Sequence, residues 1–496
     1  HVQPAPGARD HLPPRRPMPA LPLSREGRAP ERGARVEREQ VALTLREEAG
    51  VARAGELVSF GVPFAQGELF DPAMIRVLDA ASAELPSQAM ASSFWPDGSL
   101  RWALVDLLTD TGAGADLDLA IEYGSAVSRA PVPDAIVLSE HQNGVVISTG
   151  PLQATVRADR MTLLEDVRVD GRPVASMPDG IMLIGEDGTA YRLANAKPDL
   201  RMEKRGPLAT TVRLEAPYVS AGGAEYQRAI VRLTFIAGSA SVQVAATHVD
   251  DWLETEFTDF RSLTMPIELA SAAANAAFTE TDAAVVVGPA ARIMQKHDQL
   301  ASVGGDEREG LRLSGAMSCT AADGSGVTVA LTDFWREYPK ALSATADGAL
   351  VEILPSLQGD SFYEDLPDNL RYPFVEGCYR LKWGMAKTTR MVLSFHAPGE
   401  EADLAAAAAA VERPLVPVIA AERYAATGAL GEIAPVREGR FAAWDNDVAR
   451  RHDEHMKLKE TEREYGFLNW GDWYGERGRN WGNNEYDLPH GLFMQF

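Results

Sequence analysis

The sequence predicts a mostly β, multidomain protein: a small all-β domain, then a large β-sandwich, then the opening of a helical domain. Three observations carry that reading. Short alternating apolar runs recur between turn dipeptides over residues 41–400, few long helical periodicities interrupt them, and the composition shifts at Glu400 to alanine-rich helix.

Residues 1–40 hold eight prolines and eight arginines with almost no apolar periodicity, the composition of a disordered tail. Order begins with Val41-Ala-Leu-Thr-Leu45, followed by Leu57 to Phe64. Met90 to Trp95 and Leu100 to Leu108 flank Pro96-Asp97-Gly98-Ser99, which reads as a hairpin, and Leu117 to Tyr123 alternates as one more strand. Residues 41–130 therefore form the small domain, with Trp95 and Trp102 expected in its core, and Ala130-Pro-Val-Pro133 is the joint that follows. Over 135–400, Asn143-Gly144, Asp170-Gly171, Asp187-Gly188 and Asp347-Gly348 each sit between β-prone runs. Ala209 to Leu214, Ala229 to Ile236, Ser241 to Thr247, Val327 to Thr332 and Thr388 to Phe395 supply longer strands. From 401 to 496 the pattern is helical: Glu401 to Val411, a second piece at Ile419 to Thr427 beyond Pro414 and Pro417, and a charged helix over Trp444 to Glu462.

At 496 residues with a net charge of −23, the chain is poorly matched to nucleic acid or to an anionic membrane, both of which reward a basic surface. No apolar run approaches the ~20 residues of a membrane-spanning helix. Cys319 and Cys378 are the only cysteines and read as buried free thiols. No Cys- or His-based set has metal-ligand spacing, since His452 and His455 stand alone on the charged helix. Any cofactor is unknown. There is no initiator Met and no charged-then-apolar leader pattern, so secreted and cytoplasmic locations both stay open.

The chemistry concentrates in Tyr465–Phe496. Trp470, Trp473, Trp481 and Tyr486 alternate with Asn, Asp, Glu and Arg side chains, and five glycines at 466, 471, 475, 478 and 482 let the backbone approach a ligand. Flat aromatic faces suit sugar C–H surfaces, while amides and carboxylates suit sugar hydroxyls. Two reactions fit these residue types. In β-elimination on a uronic acid, Asn483 or Asn484 neutralises the carboxylate, and Tyr486 and His490 handle the protons. In hydrolysis, Asp472 pairs with Glu485 or Asp487 across the glycosidic bond. A third reading is a non-catalytic glycan-binding protein. Lys387 and Arg390 are further candidates for binding an acidic sugar's carboxylate, beside Trp470, Asp472, Trp473 and Trp481 as substrate-binding residues. The expected partner is an acidic poly- or oligosaccharide; oligomeric state is open.

Several segments resemble the exo-rhamnogalacturonan lyase family, the PcRglX/YetA-like proteins. Phe60-Gly-Val-Pro-Phe64 with Trp95-Pro-Asp-Gly-Ser-Leu-Arg-Trp102 is similar to its opening barrel. Thr149-Gly-Pro-Leu152, Gly206-Pro-Leu208, Asp333-Phe-Trp335 with Tyr338-Pro-Lys340, and Gly384-Met-Ala-Lys-Thr388 resemble its central sandwich. Asn469-Trp-Gly-Asp-Trp473 and Trp481-Gly-Asn-Asn-Glu-Tyr-Asp487 resemble the start of its C-terminal toroid. The resemblance implies a RIFT-type β-barrel, a β-sandwich and the beginning of an (α/α) toroid, most of which is not in these 496 residues. It also implies cleavage of a rhamnogalacturonan-type backbone by elimination.

Overall fold

The structure is a computed structural model. It describes residues 36–468 apart from 281–282, 289–290, 401–402, 434–438 and 440, together with residue 491.

Two short sheets enclose the first core. In one, Glu39–Arg46 pairs with Asp116–Tyr123, which pairs with Ile75–Leu78 and through it Glu84–Leu85; in the other, Leu100–Thr111 lies between Arg53–Pro63 and Ser87–Phe94. Alternation turns Val41, Leu43 and Leu45 inward, against Val62, Phe64, Leu107, Ile121 and Tyr123. The Pro96-Asp-Gly-Ser99 tip closes as the sequence predicts. Trp95 N donates to Ser99 O (2.8 Å), Asp97 Oδ1 accepts from Ser99 N (3.0 Å) and Oγ (2.6 Å), and Gly98 takes φ +84°.

One expectation changes here. Trp95 and Trp102 are half-buried, and neither lies in the barrel core. Arg101 stacks on Trp95 (5.1 Å), and Trp102 packs over Gly61 and faces Tyr424 (6.1 Å). These rings are large enough to lie across the surface, and they cover a seam with a distant part of the chain. That part includes a strand which the sequence hid. Val416–Ile419 returns to pair antiparallel with Glu39–Arg46, in the register Leu43↔Ile419 and Leu45↔Pro417. Proline, lacking an N–H, is tolerated because this strand lies at the sheet's edge. The helix Ala421–Thr427 follows, and its Arg423 donates to Pro63 O and Glu68 and stacks on Tyr123.

The large domain is two antiparallel sheets over one core, hydrogen-bonded into one closed system in which Ala190–Arg192 pairs with both Met182–Gly185 and Ala209–Ser220. The first sheet runs Asp199–Arg205, Ala209–Ser220, Glu225–Ile236, Ser241–Val249, Ala386–His396, Gly326–Leu331, Ala316–Ala321, Ala273–Glu280. The second is organised about Phe257–Leu269, which pairs with Arg172–Ser176, Met182–Gly185, Gly348–Leu354 and Cys378–Lys382. Asn143-Gly144, Asp170-Gly171, Asp187-Gly188 and Asp347-Gly348 are each at a hairpin tip. Cys319 and Cys378 are free and buried.

The two domains are joined by a satisfied polar node. Gln88 donates to Asp106 (2.8 Å) and Ala209 O (2.9 Å) and accepts from Leu208 N (2.9 Å) and Ala209 N (3.1 Å), while Lys204 pairs with Asp106 (2.7 Å). The described α-helices are Asp368–Arg371, Leu404–Glu412, Ala421–Thr427 and Ala442–Thr461, and they form no toroid among the described residues. No described helix is long and apolar enough to cross a membrane.

Candidate functional site

Small residues make room for a cleft beside the first sheet. Asp403 caps the helix Leu404–Glu412 by accepting from Ala406 N (2.9 Å), and Leu404 and Ala408 sit on Ala316 and Ala330. Alanine on both sides lets helix and sheet approach closely. Between this helix, the sheet's outer face and residues 54–57 at the start of the barrel strand Arg53–Pro63 lies a cleft of about 740 Å³, a size that suits a small ligand.

The floor comes from outward positions of four neighbouring strands, Arg232 and Thr234, Ser241 and Gln243, Arg390 and Ser394, and Thr328, with Thr332 just past the end of the fourth. Hydroxyls pair across the strands at Ser241–Ser394 (2.8 Å) and Thr211–Thr234 (2.9 Å). At one mouth Asp333, with φ +53°, and Glu412 flank Arg336, which bonds Asp333 at 3.2 Å and also contacts Glu412. Arg232 is held by both oxygens of Glu203 (2.6 and 2.9 Å). Arg390 differs: its exposed guanidinium has no acidic partner among the described residues. Among the described residues it is the cleft's positive charge without an acidic partner, and its planar fork suits a carboxylate. Among the described residues no His, Tyr, Cys or Lys lines the cleft; those that do can bind and orient a ligand through hydroxyls, an amide, guanidinium groups and carboxylates.

Lys387 does not join Arg390. Three residues along a strand is an odd step, so the two side chains point to opposite faces. Lys387 pairs in register with buried His248 and contacts Glu337, whereas Arg390 stands opposite Ala245 on the outer face. The two cations that the sequence offers to an acidic sugar therefore stand on opposite faces of this strand. Lys387 instead belongs to an internal cluster in which Glu337 also meets the fully buried Lys340 (3.4 Å), itself bonded to Thr389 (3.2 Å). Burial pulls the Lys340 amine down to about 8, despite the opposing pull of Glu337.

The aromatic run that drew attention in the sequence divides. Tyr465 and Phe467 are core residues: Tyr465 lies against Trp335 (4.8 Å) and Phe467 between Phe374 and Tyr379. Gly466 N donates to Arg336 O (2.7 Å) and Phe467 N to Tyr338 O (2.9 Å), threading 463–468 along the segment 333–340. Trp470, Asp472, Trp473, Trp481, Asn483, Asn484, Tyr486 and His490 lie outside the described residues. His452 is exposed on Ala442–Thr461, and no described group of three or more His, Cys, Asp or Glu could hold a metal. Sequence reasoning missed Arg232, Gln243, Asp333 and Glu412. For Arg232 and Gln243 the one signal was polar residues at outward positions of strands central to their sheet, which sheet topology alone makes meaningful; Asp333, in the turn after Gly326–Leu331, and Glu412, at the end of the helix Leu404–Glu412, carried none.

Comparison with known proteins gives the following. None of the curated proteins matches the chain. Among solved structures, a glycosyl hydrolase family 38 protein from Enterococcus faecalis is 11% identical with a TM-score of 0.48, covering 77% of this chain and 47% of that one. An α-mannosidase from E. faecalis V583 is 11% identical with a TM-score of 0.49, covering 77% and 46%. A galactose mutarotase related enzyme from Lactobacillus acidophilus is 11% identical with a TM-score of 0.28, covering 54% of this chain and 100% of that one. The chain spans about half the length of the first two structures. Residues 43–119 match the family model of the PcRGLX-like N-terminal RIFT barrel domain, so the small barrel built on Glu39–Arg46 and Leu100–Thr111 is of that kind.

Proposed function

We propose that this protein acts on an acidic, uronic-acid-containing glycan such as rhamnogalacturonan, cleaving it by β-elimination. The observation that carries the substrate half is Arg390, a guanidinium without an acidic partner among the described residues, over a floor of hydroxyls and an amide. A uronate carboxylate would take the charge, and its ring hydroxyls would bond Gln243, Ser241, Ser394 and Thr332. The match of residues 43–119 to a PcRGLX-like barrel supports a carbohydrate context. The chemical half rests on Asn483, Asn484, Tyr486 and His490: an amide that neutralises the carboxylate raises the acidity of the C5 proton, and Tyr486 and His490 exchange protons with C5 and the leaving oxygen.

The test is incubation of the protein with rhamnogalacturonan while the ultraviolet absorbance of an unsaturated product is followed. The expected result is a steady rise, depressed in a folded Tyr486→Phe variant. New reducing ends without absorbance, lost in Asp472→Asn, would select hydrolysis instead; binding without turnover would leave a glycan-binding protein. Arg390→Ala is expected to weaken binding of uronate oligosaccharides about ten- to a hundredfold, since a hydrogen bond to a charged group contributes ~1.5–3 kcal/mol. Unchanged affinity in titration calorimetry would show that the carboxylate sits elsewhere.

A further inference from the structure

At one end of the sandwich the loop 250–257 and the turn 382–385 meet and are fixed to each other. Gly384 N donates to Asp250 O (2.7 Å), Asp250 N to Met385 O (2.9 Å) and Trp383 N to Glu256 O (3.3 Å). On this rigid base stand apolar groups that the core does not use: Leu253, Phe257 and Trp383 are 69%, 49% and 50% exposed. Half-buried rings continue the surface inward, Trp252 to Tyr226 at 5.2 Å and Tyr226 to Tyr191 at 5.3 Å.

We infer that this end is a second glycan-holding surface, which grips a neutral sugar unit, such as a rhamnose, further along an oligosaccharide whose carboxylate occupies the Arg390 cleft. The inference rests on the acidic-glycan reading and extends it. Most of its charges are paired, Arg228 with Asp251 (2.6 Å), Lys382 with Glu256 (3.0 Å) and Arg380 with Asp259 (2.6 Å), and the exposed Glu254 adds a carboxylate with no cation among the described residues. A rim with its cations paired and a carboxylate to spare offers little to an anionic sugar unit and suits a neutral, hydroxyl-rich one, whose C–H faces lie on aromatic rings. The surface is also continuous with the cleft. The strand Ala386–His396 leaves the turn and reaches Arg390 after roughly 20 Å, at ~3.3 Å per residue. Its outward Thr388 bonds Thr247 (2.8 Å) on the way, extending the hydroxyl floor.

The measurement is titration calorimetry of the full chain with size-fractionated rhamnogalacturonan oligosaccharides. Wild-type affinity should rise once the oligosaccharide can span that distance. The double variant Trp383→Ala/Phe257→Ala should then lose about tenfold for long oligosaccharides and nothing for a disaccharide. Trp383→Phe should retain most of the affinity, while Arg390→Ala weakens long and short alike. Long oligosaccharides binding the double variant as tightly as wild type would overturn the second surface alone. An equal loss for the disaccharide would do the same, because the defect would then be general. A change in sedimentation with no change in glycan affinity would reassign the patch to a protein interface. No binding by the wild type at all would overturn the acidic-glycan reading, and this inference with it.

Discussion

Replacing Glu47 with alanine is expected to cost about 3–5 kcal/mol of stability, the usual loss when one partner of a buried ion pair is removed. Glu47 is 4% exposed and gathers three parts of the barrel. Its Oε1 accepts from Ala49 N (3.0 Å) and Arg53 Nη2 (2.7 Å), and its Oε2 from Gly50 N (2.8 Å), Val51 N (3.1 Å) and Gly114 N (2.7 Å). Arg53 in turn donates to Arg413 O (2.7 Å), just before the returning strand Val416–Ile419. Alanine would leave a buried guanidinium and several amide donors without partners. Burial pushes the Glu47 carboxyl up, but Arg53 and the Gly114, Ala49 and Gly50 amides outweigh it and hold it at about 2. Because the folded value lies below the ordinary ~4.3, the stabilisation is complete above that value and is lost as pH falls towards 2. Denaturant midpoints of wild type should therefore drop across that window, and Glu47→Gln should lack this component. A Glu47→Ala midpoint within about 1 kcal/mol of wild type would show that the node is dispensable.

Much of the β architecture is readable because turns have local chemistry. Gly98, Gly171 and Gly188 take φ values of +84°, +78° and +86°, a region that side chains with a Cβ avoid, so their dipeptides mark real corners. What escapes is non-local. Val416–Ile419 joins the barrel only because a partner at Glu39–Arg46, some 370 positions earlier in the chain, offers a free edge; locally, Pro414 and Pro417 read as broken helix. Arg390 was found as a cation, but its face depends on register, and Asp333 and Glu412 become its neighbours only after folding. Tyr465 and Phe467 show the opposite error. Their composition matches a ligand site, yet their burial against Trp335, Phe374 and Tyr379 makes them a plug for the sandwich core.

That plug is held by a charge clamp, and removing it is the second large effect. Asp298 is 1% exposed and receives Arg463 Nε on both oxygens (3.1 and 3.0 Å) and Nη2 on Oδ1 (2.6 Å). Burial raises the carboxyl, but His297 and Arg463 more than offset this and hold it below its ordinary value. Arg463→Met should cost about 3–5 kcal/mol, because a buried carboxylate is left without its cation. The pair's contribution is present above the ordinary carboxylate pKa and fades as acid protonates Asp298. Asp298→Leu/Arg463→Met should recover a good part of the loss, and the double-mutant cycle isolates the coupling. The functional readout separates the two halves of the proposed site. Residues 463–468 lead into the segment carrying Tyr486 and His490, while Arg390 lies on the sheet's outer face. Arg463→Met should thus depress elimination on rhamnogalacturonan while Arg390-dependent binding of short uronate oligosaccharides persists. Full activity with an unclamped segment would mean that the chemistry does not depend on how 463–468 is seated.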